Sequence, residues 1–434
     1  MKLFSIALAS ALAASAASKS TTAASVTFHK DVEPILQNNC QSCHRPGEAA
    51  PMSFLTYSET RPWAKAIREA VRLRKMPPWF ADPHVGKFAN DRSMSDSDIQ
   101  TLAKWADAGA PEGDAKDAPA PKKFVSGWNI GQPDQVFEMP TPYKTVAKGT
   151  MEYTYYVLPT GFKEDKWVQF SEVRPGNRKV VHHVIAFIRE PGSKWLAEAK
   201  AGEPFVPAKA KGENQGGGGG GLGQWLVGYA PGFLPDTLKE GQARLVKAGS
   251  DIVFQMHYTA NGKEELDQTK IGLIFSKEPP KQRIVTLAAT TNKFTIPAGA
   301  DNHKVESAIT LQADTTVSTL VPHMHLRGKA FEFRVVYPTG EKQELLRVPR
   351  YDFNWQLAYE PEKPLVLPKG SRIECTAWYD NSANNPSNPD PTVDVKYGDQ
   401  SWEEMMFGFF NATIDPSKDP AELVRAPKKK ADGD

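Results

Sequence analysis

The stretch STLVPHMHLRG, residues 318–328, carries two histidines two positions apart behind a β-branched run. On a strand, residues i and i+2 point to the same side. The strand reading therefore places His323 and His325 next to each other, an arrangement that a hydrophobic core rarely wants and that metal ligation does. Outward from this stretch the pattern repeats. Strand-like runs bounded by Pro, Gly or Asn begin near residue 124: MEYTYYVLP (151–159), DKWVQFSEVRP (165–175), RKVVHHVIAFIRE (178–190), SDIVFQMHYTANGK (250–263) and TKIGLIFS (269–276). EPPK (278–281) interrupts them. A second set starts at KFTIPAG (293–299), includes FEFRVVYP (331–338) and SRIECTAWYD (371–380), and ends at SWEEMMFGFFNAT (401–413). Two β-sandwiches in series, 124–280 and 281–418, are expected.

The bulk numbers agree with a multidomain, turn-rich chain. It has 434 residues, 40% of them apolar and 24% charged, with 35 prolines and 32 glycines. A net charge of +2 with mixed signs gives no electrostatic case for nucleic acid or an anionic membrane. Residues 1–16 read as a cleaved secretory signal, with Lys2, an apolar run and Ala14-Ser15-Ala16. A periplasmic or secreted protein without stable membrane insertion is the expectation. Three cysteines are too few for a disulfide framework.

Two of those cysteines stand in NNCQSCHRPG (38–47), a C-x-x-C-H sequence. Two thiols one helical turn apart can form thioethers with a haem, and the following histidine can ligate the iron. No second C-x-x-C completes a zinc site. One covalent haem c on Cys40, Cys43 and His44 is expected. Met76, on the Pro-Pro turn of KMPPW (75–79), is the favoured sixth ligand, with Met52, Met94 and His84 as alternatives. ETRPWAKAIREAVRLR (59–74), with Thr60 as cap, and SMSDSDIQTLAKWADAGAPEGD (93–114) read as helices. Residues 24–112 are accordingly expected to form a small all-α cytochrome c domain. A linker at 113–123 follows, and 419–434 is expected to be a disordered tail.

Of nine histidines, five fall in three strand-like segments: His182 and His183, His257, and the His323/His325 pair. Adjacent residues on an ideal strand face opposite sides, so His182 and His183 need a bulge to share one ion. Histidines without clustered carboxylates suit Cu, Zn, Fe or Ni, and a thioether from the EEMM segment, Met405 or Met406, would favour copper.

In order and spacing, HH, QMHY, HMH and EEMM resemble the copper type II ascorbate-dependent monooxygenases, the family of peptidylglycine α-hydroxylating and dopamine β-monooxygenase. The likeness spans roughly residues 124–415. It implies two jelly-roll-like domains and two copper ions. His182, His183 and His257 would hold the electron-storing copper; His323, His325 and Met405 would hold the copper where O2 is activated. It implies a small-molecule substrate and an electron donor; the fused haem segment is an addition to the family pattern and suggests that electrons arrive through it from a periplasmic donor. Val321, Phe407 and Phe409 stand where the peptide-amidating enzyme has polar residues that meet the substrate. That departure argues against a C-terminal glycine peptide and for an uncharged or apolar substrate. A non-catalytic copper-binding or electron-transfer protein is the alternative; a zinc or iron hydrolase lacks the paired carboxylates it would need. The glycine run in 213–232 lacks a Gly-Lys-Ser/Thr ending and reads as a flexible loop.

Overall fold

The computed structural model describes residues 26–48, 50–207 and 225–424. The signal segment, most of the glycine-rich run and residues 425–434 lie outside these. Three β-sheets form the body of the protein. One has nine strands, and two four-stranded sheets complement it.

The first four-stranded sheet runs Thr154–Pro159, Asp251–Tyr258, Val181–Arg189, Trp225–Tyr229. Its second strand, DIVFQMHY, is buried at seven of eight positions, as befits an internal strand covered on both faces. Tyr156, Val184, Phe254 and Met256 of this sheet share a core with Val168, Val173, Ile271 and Leu273 of the nine-stranded sheet. The second four-stranded sheet runs His303–Thr310, Arg372–Tyr379, Gly328–Val336, Lys342–Val348. Phe331, Phe333, Ile373 and Cys375 there pack on Leu287, Val317, Leu320 and Phe410 of the same large sheet.

Two independent jelly-roll-like sandwiches are therefore not what forms. The nine-stranded sheet passes through both halves, because Gln242–Val246 of the first pairs in parallel with Gln282–Thr290 of the second. Buried Arg244 lies at this junction. It donates to Asp236 Oδ2 (3.0 Å), Thr286 Oγ1 (3.1 Å) and Asn411 Oδ1 (3.1 Å), so a cation between the halves is fully partnered.

The expected all-α cytochrome c domain also needs correction. The α-helices of the N-terminal segment are short: Glu33–Asn39, Tyr57–Thr60, Ala64–Arg72 and Asp96–Asp107. They gather over a small core of Phe28, Leu36, Ile67, Leu102 and Trp105. Between the last two helices, however, the chain leaves them and joins the β body. Phe80 enters the core of the second sandwich, Phe88 bridges to Pro361, and Asp82 meets Arg347. The segment is a short-helix appendage of a sheet-rich protein, because its apolar residues are shared between two cores. Thr56, not Thr60, caps its first turn, in a reciprocal capping box with Glu59.

At the other end, Leu423 is buried in the second core on a 3₁₀ turn, Pro420–Leu423. Residues 419–424 thus belong to the fold rather than to a loose tail. Among the described residues no helix is long and apolar enough to cross a membrane.

Candidate metal centre

His183 lies directly opposite His257 in the pairing of Val181–Arg189 with Asp251–Tyr258, and the register shifts between Val181 and His183. His182 is the extra residue of that bulge, which turns it toward the side of its neighbour. The Nδ1 atoms converge: His182 to His183 at 3.2 Å and His257 to His183 at 3.3 Å. One ligand atom from each histidine lies within 4.8 Å of the other two. Behind His257, Nε2 meets Ser401 Oγ at 3.1 Å, which leaves Nδ1 to face inward. The Nε2 atoms of His182 and His183 are buried without a hydrogen-bond partner. Phe353 stacks on His182 with ring centres 4.7 Å apart.

The second pair is built differently. The strand Thr315–His323 ends at His323, so His325 sits past it on a turn rather than two places along the same strand. The rings nevertheless lie 5.3 Å apart at 86°. Glu404 pins the turn by accepting from the backbone N–H of His325 (2.9 Å) and of Arg327 (2.6 Å). Tyr351 Oη accepts from Met324 N–H and donates to Met324 O. His323 Nδ1 donates to Gln356 Oε1 at 2.7 Å, and His325 Nδ1 to the Glu403 carbonyl at 3.2 Å. These outer bonds fix the tautomers and leave Nε2 of both rings as the lone-pair donor. His325 Nε2 is buried and has no protein partner.

Met405 is buried, two residues before Phe407, which is registered opposite His323. The Met405 carbonyl accepts from Tyr379 Oη at 2.7 Å, just before the strand Phe407–Ile414 begins. Met406 instead belongs to the apolar core of the second sandwich.

The two sets meet. His183 and His323 have ring centres 6.5 Å apart, so five imidazoles share one dry region. Burial lowers all five: His182 and His323 to about 4, and His183, His257 and His325 well below 6.5 with mutual repulsion adding to it. Neutral imidazoles with inward lone pairs are what a metal ion requires.

In the N-terminal segment, Cys40 ends the helix Glu33–Asn39, and its carbonyl accepts from Cys43 N–H (3.1 Å) and His44 N–H (2.9 Å). The two thiols and the imidazole thus share one tight turn, and both thiols are free. Burial pushes the Cys40 thiol up to about 12, with Cys43 adding to the effect. His44 stacks on Phe54 at 4.3 Å, its Nδ1 buried and unpartnered, and burial lowers its pKa. This arrangement fits a covalent haem. Met76 is half-buried on the turn after Ala64–Arg72, its N–H bonded to Ala70 O. Among the described residues no contact links Met76 to His44. Met94 is buried in the helical core, Met52 packs against that core, and His84 is exposed and bonded to Asp82.

A cavity of about 70 Å³ lies beside Thr319, Val321 and Phe409. Trp225, Val227, Val321 and Phe409 form its apolar wall, and Arg92 and Arg244 face Asp236 and Glu360 within it. Phe407 and Phe409 stack at 4.9 Å and both lie just over 6 Å from the His323 ring. Sequence reading had no spacing signal for Gln356, Ser401 or Phe353, which come from loops remote from the histidines they touch.

No protein-family model matches the chain, and no curated protein matches it. Solved structures give faint likenesses. The infectious bursal disease virus Gx strain structure is 9% identical, over 68% of this chain and 75% of that one, at a TM-score of 0.20. An allantoicase is 10% identical, over 62% of this chain and 80% of that one, at 0.16; the Saccharomyces cerevisiae allantoicase reaches 0.17 with the same identity and coverage. Scores this low carry no argument about fold or function.

Proposed function

We propose that this chain is a copper-dependent monooxygenase that also carries a covalent haem. The observation that supports it is the cluster of five neutral histidines, a triad whose Nδ1 atoms converge and a pair whose Nδ1 atoms are hydrogen-bonded outward. His182, His183 and His257 would hold one copper through Nδ1. His323 and His325, joined by Met405, would hold the other through Nε2. Copper in such a site supplies one-electron steps and O2 chemistry. The reaction is R–H + O2 + 2 e⁻ + 2 H⁺ → R–OH + H2O. The protein's own contribution is burial of the histidines, tautomers fixed at His323 and His325, and neighbouring aromatic rings. Phe407 and Phe409 beside the His323 ring would favour an uncharged substrate with an apolar body, and Arg92 and Arg244 in the neighbouring cavity already face Glu360 and Asp236. Cys40, Cys43 and His44 would hold the haem.

The test is stoichiometry on protein matured with haem attachment, followed by O2 consumption with small apolar substrates. One haem and two coppers per chain are expected, with one copper lost in His323→Ala or Met405→Leu. Zinc in place of copper, or no metal on the five histidines, would overturn the reading. Two coppers with no substrate-dependent O2 uptake would instead favour a copper-binding electron carrier.

A further inference from the structure

The loop after Cys40, Cys43 and His44 makes an ionic link to the β body. Glu48 bridges two arginines: Oε1 meets Arg45 Nη2 of its own loop at 3.1 Å, and Oε2 meets Arg178 Nη2 at 3.4 Å. Neither partner of the second contact is more than 17% exposed in its side chain. Arg178 also lies over the ring of Tyr229, 5.2 Å from its centre. Tyr229 is buried on the strand Trp225–Tyr229 and pairs with Val184 of the His182 strand. Arg178 itself precedes His182 by four residues of continuous chain. On the other side of the link, Arg45 follows His44 directly and stacks on Phe124 at 4.2 Å. Cys43 is near enough to act electrostatically on Tyr229 and on Arg92.

From this geometry we propose that Arg178, clamped between Glu48 and Tyr229, is a positioning residue that holds the C-x-x-C-H turn against the three-histidine strand for electron transfer. The inference rests on the proposed haem and copper occupancy. The step it serves is a one-electron exchange. With both groups bound, a haem held by Cys40, Cys43 and His44 would give up one electron, Fe(II) to Fe(III), and a copper held by His182, His183 and His257 would take it, Cu(II) to Cu(I), with no proton or bond moved. A soluble one-electron donor restores the haem. The link suits this role because a paired, largely buried guanidinium holds two surfaces in one geometry, where an exposed pair would not.

The experiment uses full-length protein loaded with haem and copper. The haem is reduced rapidly by a photochemical donor, and its reoxidation is followed in the visible spectrum while the Cu(II) signal is followed by electron paramagnetic resonance. In the wild type, haem reoxidation should be independent of protein concentration and match loss of the Cu(II) signal. Arg178→Ala should slow it on the order of tenfold or more, since small misplacements of reacting groups have large kinetic effects. Glu48→Gln should slow it too, and the double variant should be no slower than the worse single one, because both cut the same link. Arg178→Lys, which keeps the charge, should recover part of the rate and covers the case in which Arg178→Ala fails to fold. Unchanged rates in variants with full haem and copper would overturn the inference and leave the proposed function standing. Wild-type protein that binds neither group would overturn the reading beneath it.

Discussion

Gln356 does for His323 what a covalent lock would do: by accepting from Nδ1 at 2.7 Å it holds the ring in the tautomer whose Nε2 has the lone pair. If the pair holds the proposed copper, Gln356→Leu should weaken binding there by roughly 10- to 100-fold while leaving the three-histidine site intact. Competitive chelator titration of the two coppers would measure this, and equal affinity in the variant would show that the bond is ornamental. The same burial sets a pH dependence in the metal-free protein. Folded His182 and His323 titrate near 4, whereas an unfolded histidine takes its proton at 6.5. Their contribution is complete above 6.5 and is lost as pH falls from there toward 4, because the unfolded chain then binds more protons. Glu404, pushed by burial to about 8, acts with the opposite sign and loses stability as pH rises toward that value. Scanning calorimetry on chelator-treated protein should show Tm falling below pH 6.5, with a shallower fall in His182→Gln. A slope identical in both proteins would exclude this histidine as the cause. The five histidines were legible in the sequence because their pairing in strand-like runs is a chemical pattern. Gln356 and Ser401 were not, since a second partner brought in by a distant loop leaves no spacing to read.

Elements rather than residues explain how the histidines came to face one another. The bulge at His182 follows from sequence logic, since two adjacent histidines on a regular strand diverge, and the register shift between Val181 and His183 is there. The straight-strand reading of His323 and His325 fails for a local reason. Glu404 captures the N–H groups of His325 and Arg327, and the strand ends at His323. The strand Phe407–Ile414, which runs beside His323, is also tightly constrained from behind. A Cβ added at Gly408 would come within 2.3 Å of Cys375 Sγ and 2.9 Å of the Phe333 ring. Both neighbours are fully packed, so Gly408→Ala should destabilise by about 1–3 kcal/mol through overpacking. Adding Cys375→Ala, which removes the nearer atom, should return part of that loss. Urea unfolding of the single and double variants gives the comparison. Equal destabilisation in both would place the strain elsewhere than between these two strands. Cys375, an unpaired thiol by sequence, has its meaning here as the small residue that lets the two sheets close.

Across the whole molecule, the strands could be read one by one, but which edges join could not. Alternation marks a strand and its buried face and carries no information about a parallel pairing between Gln242–Val246 and Gln282–Thr290, forty residues on. The N-terminal segment misled for a related reason. Helical spacing of apolar residues was visible in 59–74 and 93–114, but the stretch between them has no period, and its apolar residues serve another core. Phe80, 8% exposed, packs among the buried residues of the second sandwich, and the segment around it is tied down by backbone bonds from Asp82 to Arg347 and from Ala89 to Glu360. The C-x-x-C-H turn and the β body should consequently unfold as one unit rather than as a domain and its neighbour. Thermal unfolding followed in the haem absorption band and in far-ultraviolet circular dichroism should give coincident transitions. Phe80→Ala removes a buried ring and should cost about 3–5 kcal/mol, shifting both transitions together. If the variant moves the sheet transition and leaves the haem band unchanged, the two regions are energetically separate. The Glu48–Arg178 contact would then be a docking of independent parts rather than a seam inside one cooperative body.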